Sequence, residues 1–321
     1  MDFIQQLKNS IINGKQATSK EAMILCSVRL DELCAAANEI REHFCGKAFD
    51  ICTIINGKSG RCTENCRYCA QSAHYCTEIE EYPLLSGECL LKEASYNEMK
   101  GILRFSVVTS GSRLSDSEID TICKSYCLLR ERTKIQICAS NGLLSFEQFQ
   151  KLKAAGVTRY HNNLETSRRY FPCVCTTHTY DDKVRTIKNA MAAGLEVCSG
   201  GIMGLGETME DRVDMAMDIR SLGVKSVPVN ILNPIKGTPL EKIPKLTYDE
   251  LLRIIAVYRF ILPDAAIRMA GGRSMLIDKG RAAFQSGANA AISGDMLTTS
   301  GISINDDLTM LKELGFEVKK I

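Results

Sequence analysis

The stretch Lys134-Ile-Gln-Ile-Cys-Ala-Ser-Asn-Gly-Leu-Leu-Ser-Phe-Glu-Gln-Phe-Gln-Lys-Leu-Lys-Ala-Ala-Gly-Val-Thr-Arg-Tyr-His-Asn162 contains one full structural repeat. Lys134 to Cys138 and Val157 to Asn162 read as extended chain, bounded by turn residues. Between them Ser145-Phe-Glu opens an amphipathic helix with an N-cap hydroxyl and an early carboxylate. Gly156 closes it, because glycine tolerates the left-handed backbone that turns a helix into the next strand. The unit is strand, helix, strand.

The same unit repeats in both directions. Extended segments are predicted at Ala48–Ile55, Leu103–Thr109, Lys134–Cys138, Val157–Asn162, Leu195–Ser199, Ser226–Leu232, Ala266–Met269 and Ala288–Ile292. Helix starts recur at Ser115-Asp-Ser-Glu118, Thr179-Tyr-Asp-Asp and Thr247-Tyr-Asp-Glu250, and glycine stops at Gly194, Gly223 and Gly287. Eight βα units in this length predict an α/β fold of the (β/α)8 TIM-barrel type, with function on the loops after the strands. A doubly wound open sheet is the alternative. The domain division that follows is a helical N-terminal extension over 1–45, the barrel over 46–300, and a C-terminal helix and tail over 301–321.

Composition narrows the function. The 321 residues are 45% hydrophobic and 24% charged, which excludes a disordered or fibrous chain. Forty basic against 38 acidic residues give no general grip on phosphate or anionic lipid, so neither nucleic acid nor membrane is an expected partner. The apolar run Leu251–Leu262 is broken by Arg253 and Arg259 and is shorter than the roughly 20 residues that span a bilayer. The opening residues carry scattered charges rather than a secretory pattern, so a soluble, cytoplasmic protein is expected. Fifteen cysteines, an odd number, then favour metal or redox chemistry over a disulfide framework. Cys26, Cys34, Cys123 and Cys127, at helical spacing among apolar neighbours, are assigned to packing.

After the first predicted strand comes Gly60-Arg-Cys62-Thr-Glu-Asn-Cys66-Arg-Tyr-Cys69-Ala-Gln-Ser72. Three thiols spaced C-x3-C-x2-C fold around one soft-metal centre. Structural zinc needs four closed ligands, and only His74 or Cys76 stands near enough in sequence to supply the fourth. Three ligands on a four-iron cluster instead leave one iron open to a small molecule. This Cys62, Cys66, Tyr68, Cys69 pattern resembles the signature of the radical S-adenosylmethionine superfamily. The resemblance implies a [4Fe-4S] cluster whose open iron chelates S-adenosylmethionine, and reductive cleavage to a 5′-deoxyadenosyl radical that abstracts hydrogen from unactivated carbon.

A longer set of stretches is similar to the biotin synthase family: Tyr68–Tyr75, His161-Asn-Asn-Leu-Glu-Thr166, Val197-Cys-Ser-Gly-Gly-Ile-Met-Gly-Leu-Gly-Glu-Thr208, Ser226–Leu240 and Ile267-Arg-Met-Ala-Gly-Gly-Arg273. The implied reaction is radical insertion of sulfur into dethiobiotin to give biotin, with an auxiliary iron-sulfur cluster as sulfur donor. By the family pattern that cluster is held by Ser106, Cys138, Cys198 and Arg268, with Ser106 standing where a cysteine is usual. A buried pair with a carboxylate is the other reading of Arg268. Because serine is a poor iron ligand, Cys173 and Cys175 of Tyr170-Phe-Pro-Cys-Val-Cys-Thr-Thr-His178 are candidates to complete the site, which is then of [4Fe-4S] rather than [2Fe-2S] type. Cys76 and Cys89 are weaker candidates.

Further roles carry over by position. Tyr68 is expected near the adenine, Asn163 toward the ureido ring and ribose, and Glu165 on the ribose hydroxyls. Gly200, Gly201, Gly204 and Gly206 are expected to let backbone approach S-adenosylmethionine closely. Asn230 is expected on the ureido group, or alternatively as a cap on a neighbouring strand. Thr298 and Thr299 match positions receiving the substrate carboxylate. A flavodoxin or ferredoxin reductant and a homodimer are implied by the family. The competing classes are a related maturase on the same barrel and a non-catalytic store of zinc or iron.

Overall fold

The computed structural model describes residues 3–321. The chain opens with α1 (Phe3–Ile12), α2 (Ser19–Leu25) and α3 (Leu30–Cys45). It then alternates β1 (Ala48–Lys58), α4 (Gly87–Met99), β2 (Arg104–Thr109), α5 (Asp116–Arg132), β3 (Gln136–Ser140), α6 (Phe146–Ala155), β4 (Val157–His161) and α7 (Tyr180–Ala192). The second half runs β5 (Glu196–Cys198), β6 (Gly201–Met203), α8 (Met209–Ser221), β7 (Ser226–Ile231), α9 (Tyr248–Ile261), β8 (Ala266–Met269), α10 (Arg281–Phe284) and β9 (Ala290–Ser293). Helix α11 (Ile304–Glu313) and β10 (Glu317–Val318) follow.

Each of the eight expected extended segments overlaps a strand, with β1, β3 and β9 running on past the expected ends by three residues, two and one. The helix starts behave as their sequences require. Ser115, Ser145, Thr179 and Thr247 all form capping boxes, with the hydroxyl accepting from the third helical amide. Gly156 ends α6 at φ 107°, in the left-handed region.

All strand pairings are parallel, in the order β1-β2-β3-β4-β5-β7-β8-β9, and β9 pairs back onto β1 through Asp50↔Ala290 to Thr53↔Ser293. That last pairing closes the barrel and removes the open-sheet alternative. The fifth position is split: β5 pairs β7 at Cys198↔Ser226, the chain breaks at Ser199-Gly200, and β6 resumes at Gly201↔Val229. Strand β10 adds to the start of β1 through Ala48↔Glu317. Neither β6 nor β10 was expected from sequence; at three and two residues they are too short to show a period.

Period-2 pleating sorts the strand residues into two environments. Phe49, Ile51, Phe105, Val107, Ile137, Ala139, Tyr160, Val227, Val229, Ile267 and Met269 are buried against the helices and form the apolar core. The alternate residues point into the lumen, and many are polar or carry sulfur: Asp50, Cys52, Arg104, Ser106, Cys138, Arg159, His161, Cys198 and Arg268. Helix α3 lies along α9 and α1 packs on α3, which is why α9 is buried nearly all round. Cys26, Cys34, Cys123 and Cys127 pack against this core, as expected.

Candidate active site

The loop after β1 carries the three spaced thiols at the mouth of the barrel. It is held by backbone bonds from Cys62 N to Gln71 O (2.9 Å), Ala73 N to Cys62 O (2.8 Å) and Cys69 N to Cys66 O (3.0 Å). Cys62 is buried, and Cys66 and Cys69 are partly so. His74 and Cys76 do not join them as a fourth ligand. The His74 ring Nε2 is bonded to Thr63 O at 3.0 Å and Cys76 is exposed.

Below the loop lies a cavity of about 410 Å³. Cys62, Tyr68 and Cys69 form its upper wall, Asn163, Glu165 and Asn230 one side, and Thr298 and Thr299 another. Burial first, and then the Glu165 carboxylate, hold the Tyr68 phenol protonated, well above its ordinary range. Glu165 sits at φ 70°, a strained setting for a side chain with a Cβ. It is kept there by Glu165 N to Gly200 O (3.1 Å) and Ile202 N to Glu165 O (2.9 Å).

The floor of the cavity is one layer of the barrel. In such barrels a layer takes its side chains from alternate strands. Counting β5 and β6 as one position, the first, third, fifth and seventh strands supply Cys52, Cys138, Cys198 and Arg268. Arg268 Nη1 donates to Cys52 Sγ (3.2 Å), Asp50 O (2.9 Å) and Ala291 O (3.0 Å), and Nη2 donates to Asp50 Oδ1 (2.6 Å). The buried carboxylate pair, the second reading of Arg268, is therefore present. Burial alone would raise the Asp50 carboxyl; Arg268, Arg159 and Arg104 outweigh it and hold it below the usual range. Glu196 also pairs with Arg104 (3.3 Å) and Arg159 (2.9 Å), so three arginines face two carboxylates and the floor keeps a net positive charge.

The thiols respond to that field differently. Burial pushes Cys52 up to about 12 and raises Cys138. For Cys198 burial is outweighed by a hydrogen bond from His161 and by the charges of His161, Arg268 and Arg159, which bring it to about 7. Among the described residues, these three thiols do not converge within the shell of a single ion. Three separated thiols over a cationic floor fit an anionic multi-iron cluster rather than one metal ion.

Some of the residues singled out by sequence lie elsewhere or are otherwise engaged. Ser106 lines the cavity, but on the second strand, paired with Ile54 and Cys138, outside the alternate-strand layer. Cys52 takes the place in that layer, and sequence reasoning missed it. The signal was there in Asp50-Ile-Cys-Thr-Ile, where every second residue turns inward. Cys175 is not beside Cys138 and Cys198 but against Cys66, and Cys173 is exposed; both are absent from the cavity lining. The structure therefore does not bring Cys173 or Cys175 to Cys138 and Cys198, because the loop after β4 lies against the three-thiol loop instead of in the lumen.

Gly200 and Gly201 also have a different first task. A Cβ on Gly200 would lie 1.9 Å from Pro228 O, and one on Gly201 2.4 Å from Glu165 O, so the close approach is to neighbouring strands. Asn163 accepts from Gly200 N (3.0 Å) and donates to Glu165 Oε2 (3.3 Å). Asn230 donates to Gly201 O (3.0 Å) and accepts from Gly271 N (2.9 Å), tying three strand ends together while facing the cavity. The strand-capping alternative for Asn230 is thus observed.

Residues 58–219 match the Radical SAM superfamily, and residues 228–317 match the Biotin and Thiamin Synthesis associated domain. The chain is 61% identical over 319 residues to the biotin synthase of Akkermansia muciniphila, covering 99% of each. It is 59% identical over 318 residues to that of Clostridium botulinum strain Alaska E43, covering 99% of this chain and all of that one. The chain belongs to the biotin synthase family. As a family member it is a radical S-adenosylmethionine enzyme of biotin synthesis, and the family carries a [4Fe-4S] cluster and S-adenosylmethionine. Among solved structures, methylornithine synthase (PylB) matches with a TM-score of 0.85 at 20% identity, covering 98% of this chain and 97% of that one. HydG, a maturase of the [FeFe]-hydrogenase, matches at 0.83 and 22%, covering 98% and 74%. At those identities the likeness is one of fold. Among the described residues no helix is long and apolar enough to cross a membrane.

Proposed function

We propose that this chain makes biotin by inserting sulfur between two saturated carbons of dethiobiotin, with an auxiliary iron-sulfur cluster on the barrel floor as the sulfur source. The observation that carries the reading is the pairing of two thiol sets across one cavity: Cys62 and Cys69 of the three-thiol loop at the mouth, and Cys52, Cys138 and Cys198 with Arg268 on the floor. Cys62, Cys66 and Cys69 hold the [4Fe-4S] cluster, which with S-adenosylmethionine supplies hydrogen-abstracting chemistry.

The chain's own residues do the rest. Tyr68 and Glu165 flank the space for the adenosine, and the neutral phenol keeps a second negative charge away from the Glu165 carboxylate. Asn163 and Asn230, whose amides are locked by backbone partners, present their remaining hydrogen-bonding capacity to a ureido ring without rotamer freedom to lose. Thr298 and Thr299 receive the carboxylate tail at the opposite wall. Arg268, fixed by Asp50, sets a permanent positive charge against an anionic cluster. The barrel wall excludes water and stray hydrogen donors from the space between the two thiol sets. A cytoplasmic flavodoxin or ferredoxin delivers the electron, and the chain works as a homodimer.

The test is anaerobic incubation of the reconstituted protein with dethiobiotin, S-adenosylmethionine and a reductant. Biotin and 5′-deoxyadenosine are expected together. 5′-Deoxyadenosine without biotin would overturn the sulfur-insertion reading while leaving the family's radical chemistry in place.

A further inference from the structure

Beside the three-thiol loop, Cys175 and His178 form a largely buried group with Cys66, and Glu64 lies against His178. The Cys66 Sγ, the Cys175 Sγ and a His178 ring nitrogen all lie within 4.8 Å of one another. His178 Nδ1 is 3.3 Å from Cys175 Sγ and 2.5 Å from Glu64 Oε2. Cys175 is 3% exposed, and the side chains of His178 and Glu64 are 7% and 12% exposed.

The group is held in place by its own loops. Asn65 Oδ1 accepts from Thr176 N (2.9 Å) and Thr177 N (3.3 Å), Asn65 Nδ2 donates to Thr176 Oγ1 (2.7 Å), and Arg67 N donates to Val174 O (3.0 Å). These bonds lock the three-thiol loop to the segment after β4. Two thiols and an imidazole, with a carboxylate in contact with the imidazole, are the donor types that zinc and ferrous iron accept in four-coordinate sites. The separation between Cys175 Sγ and the imidazole nitrogen is close to one edge of such a tetrahedron.

We propose that, while its loop holds no cluster, the chain binds one thiophilic divalent ion through Cys66, Cys175 and His178, with a water as fourth ligand and the Glu64 carboxylate against the imidazole. Because Cys66 also serves the [4Fe-4S] cluster, ion and cluster exclude each other. This gives Cys175 a function distinct from the auxiliary site, and it makes the pocket a place where a single metal stands next to the cluster loop before the cluster is built.

The test uses the full chain stripped of iron under argon and titrated with Co²⁺ as probe. One equivalent is expected to give the intense visible bands and thiolate charge transfer of a four-coordinate cobalt thiolate. Cys175→Ser and His178→Asn, each checked by circular dichroism, are expected to weaken binding at least tenfold, whereas a Cys62→Ser, Cys69→Ser double variant retains it. Loss of binding in the double variant with retention in the first two overturns the proposal, since the ion would then sit on the three-cysteine motif alone. Absence of a four-coordinate spectrum in the wild-type chain also overturns it. Reconstitution of the cluster beforehand is expected to block cobalt uptake, and undiminished uptake overturns the exclusion. Separate Zn²⁺ and Fe²⁺ competition arms then show which ion displaces cobalt more tightly. These readouts concern the cluster-free protein and stand apart from the biotin assay, so the failure of either reading is recognised separately.

Discussion

Cys52 and Ser106 stand on neighbouring strands of the barrel, both facing the lumen, yet their positions differ in consequence. Cys52 shares a layer with Cys138 and Cys198 and receives a hydrogen bond from Arg268 at 3.2 Å; Ser106 lies on the strand between. The expected outcome is that Cys52→Ser lowers iron after reconstitution to about four per chain, the content of one [4Fe-4S] cluster. Ser106→Ala is expected to keep the wild-type iron and sulfide content. Iron and sulfide analysis of the two variants checks this, and the reverse pattern would return ligation to Ser106. The placement of Tyr68, Asn163 and Glu165 around the cavity was legible in sequence, because each lies within a short stretch after a strand. Cys52 was not, because its partners are supplied by β3, β5 and β8, far away in the chain.

At the scale of elements, α8 and the break between β5 and β6 position the wall that carries Glu165. Asp211 is the N3 residue of α8 and closes its capping box with Thr208. It also accepts from Ser167 Oγ (2.6 Å) and from Arg169 Nη2 (2.5 Å), anchoring the loop after β4. Burial raises the Asp211 carboxyl, but these hydrogen bonds outweigh it and bring it from 3.8 to about 2. Its folded value is depressed, so its contribution is complete above pH 3.8 and is lost as pH falls through about 2. That contribution is about 2 kcal/mol. Asp211→Asn should therefore lower stability by that amount at pH 7 and flatten the acid limb between pH 4 and 2, as urea unfolding at several pH values would show. Gly200→Ala places a methyl 1.9 Å from Pro228 O, backbone that has nowhere to retreat within the sheet. A loss of about 3 kcal/mol or more is expected, measured as a fall in the thermal midpoint. The strand-helix alternation was readable because each unit carries its own caps. The resumption of the fifth strand as β6 beyond the Ser199-Gly200 break was not, because it rests on pairing with β7.

For the whole molecule, the apolar core lies between barrel and helices, and the lumen is left for chemistry. The N-terminal helices finish that core: Leu33, Ala36, Ala37 and Ile40 of α3 are fully buried, and α3 lies along α9, where Ile254, Ile255, Ala256 and Val257 are also fully buried. Deleting residues 1–45 is expected to uncover this apolar face and yield a chain that aggregates even when clusters are supplied. The check is soluble yield and light scattering against the full chain; a monodisperse truncated barrel would show that α3 is dispensable.

Much of this protein is written locally. Caps, glycine stops, the strand alternation and the C-x3-C-x2-C spacing act over a few residues, so the sequence alone determined the eight strand-helix units and the radical S-adenosylmethionine loop. What only the tertiary structure decided is which cysteines share a site. Closure of β9 onto β1 and the shear of the strands set which side chains fall in one layer, bringing Cys52 to Cys138 and Cys198, while the loop after β4 carries Cys175 to Cys66 instead. Those meetings depend on the path of the whole chain, and no local pattern encodes them.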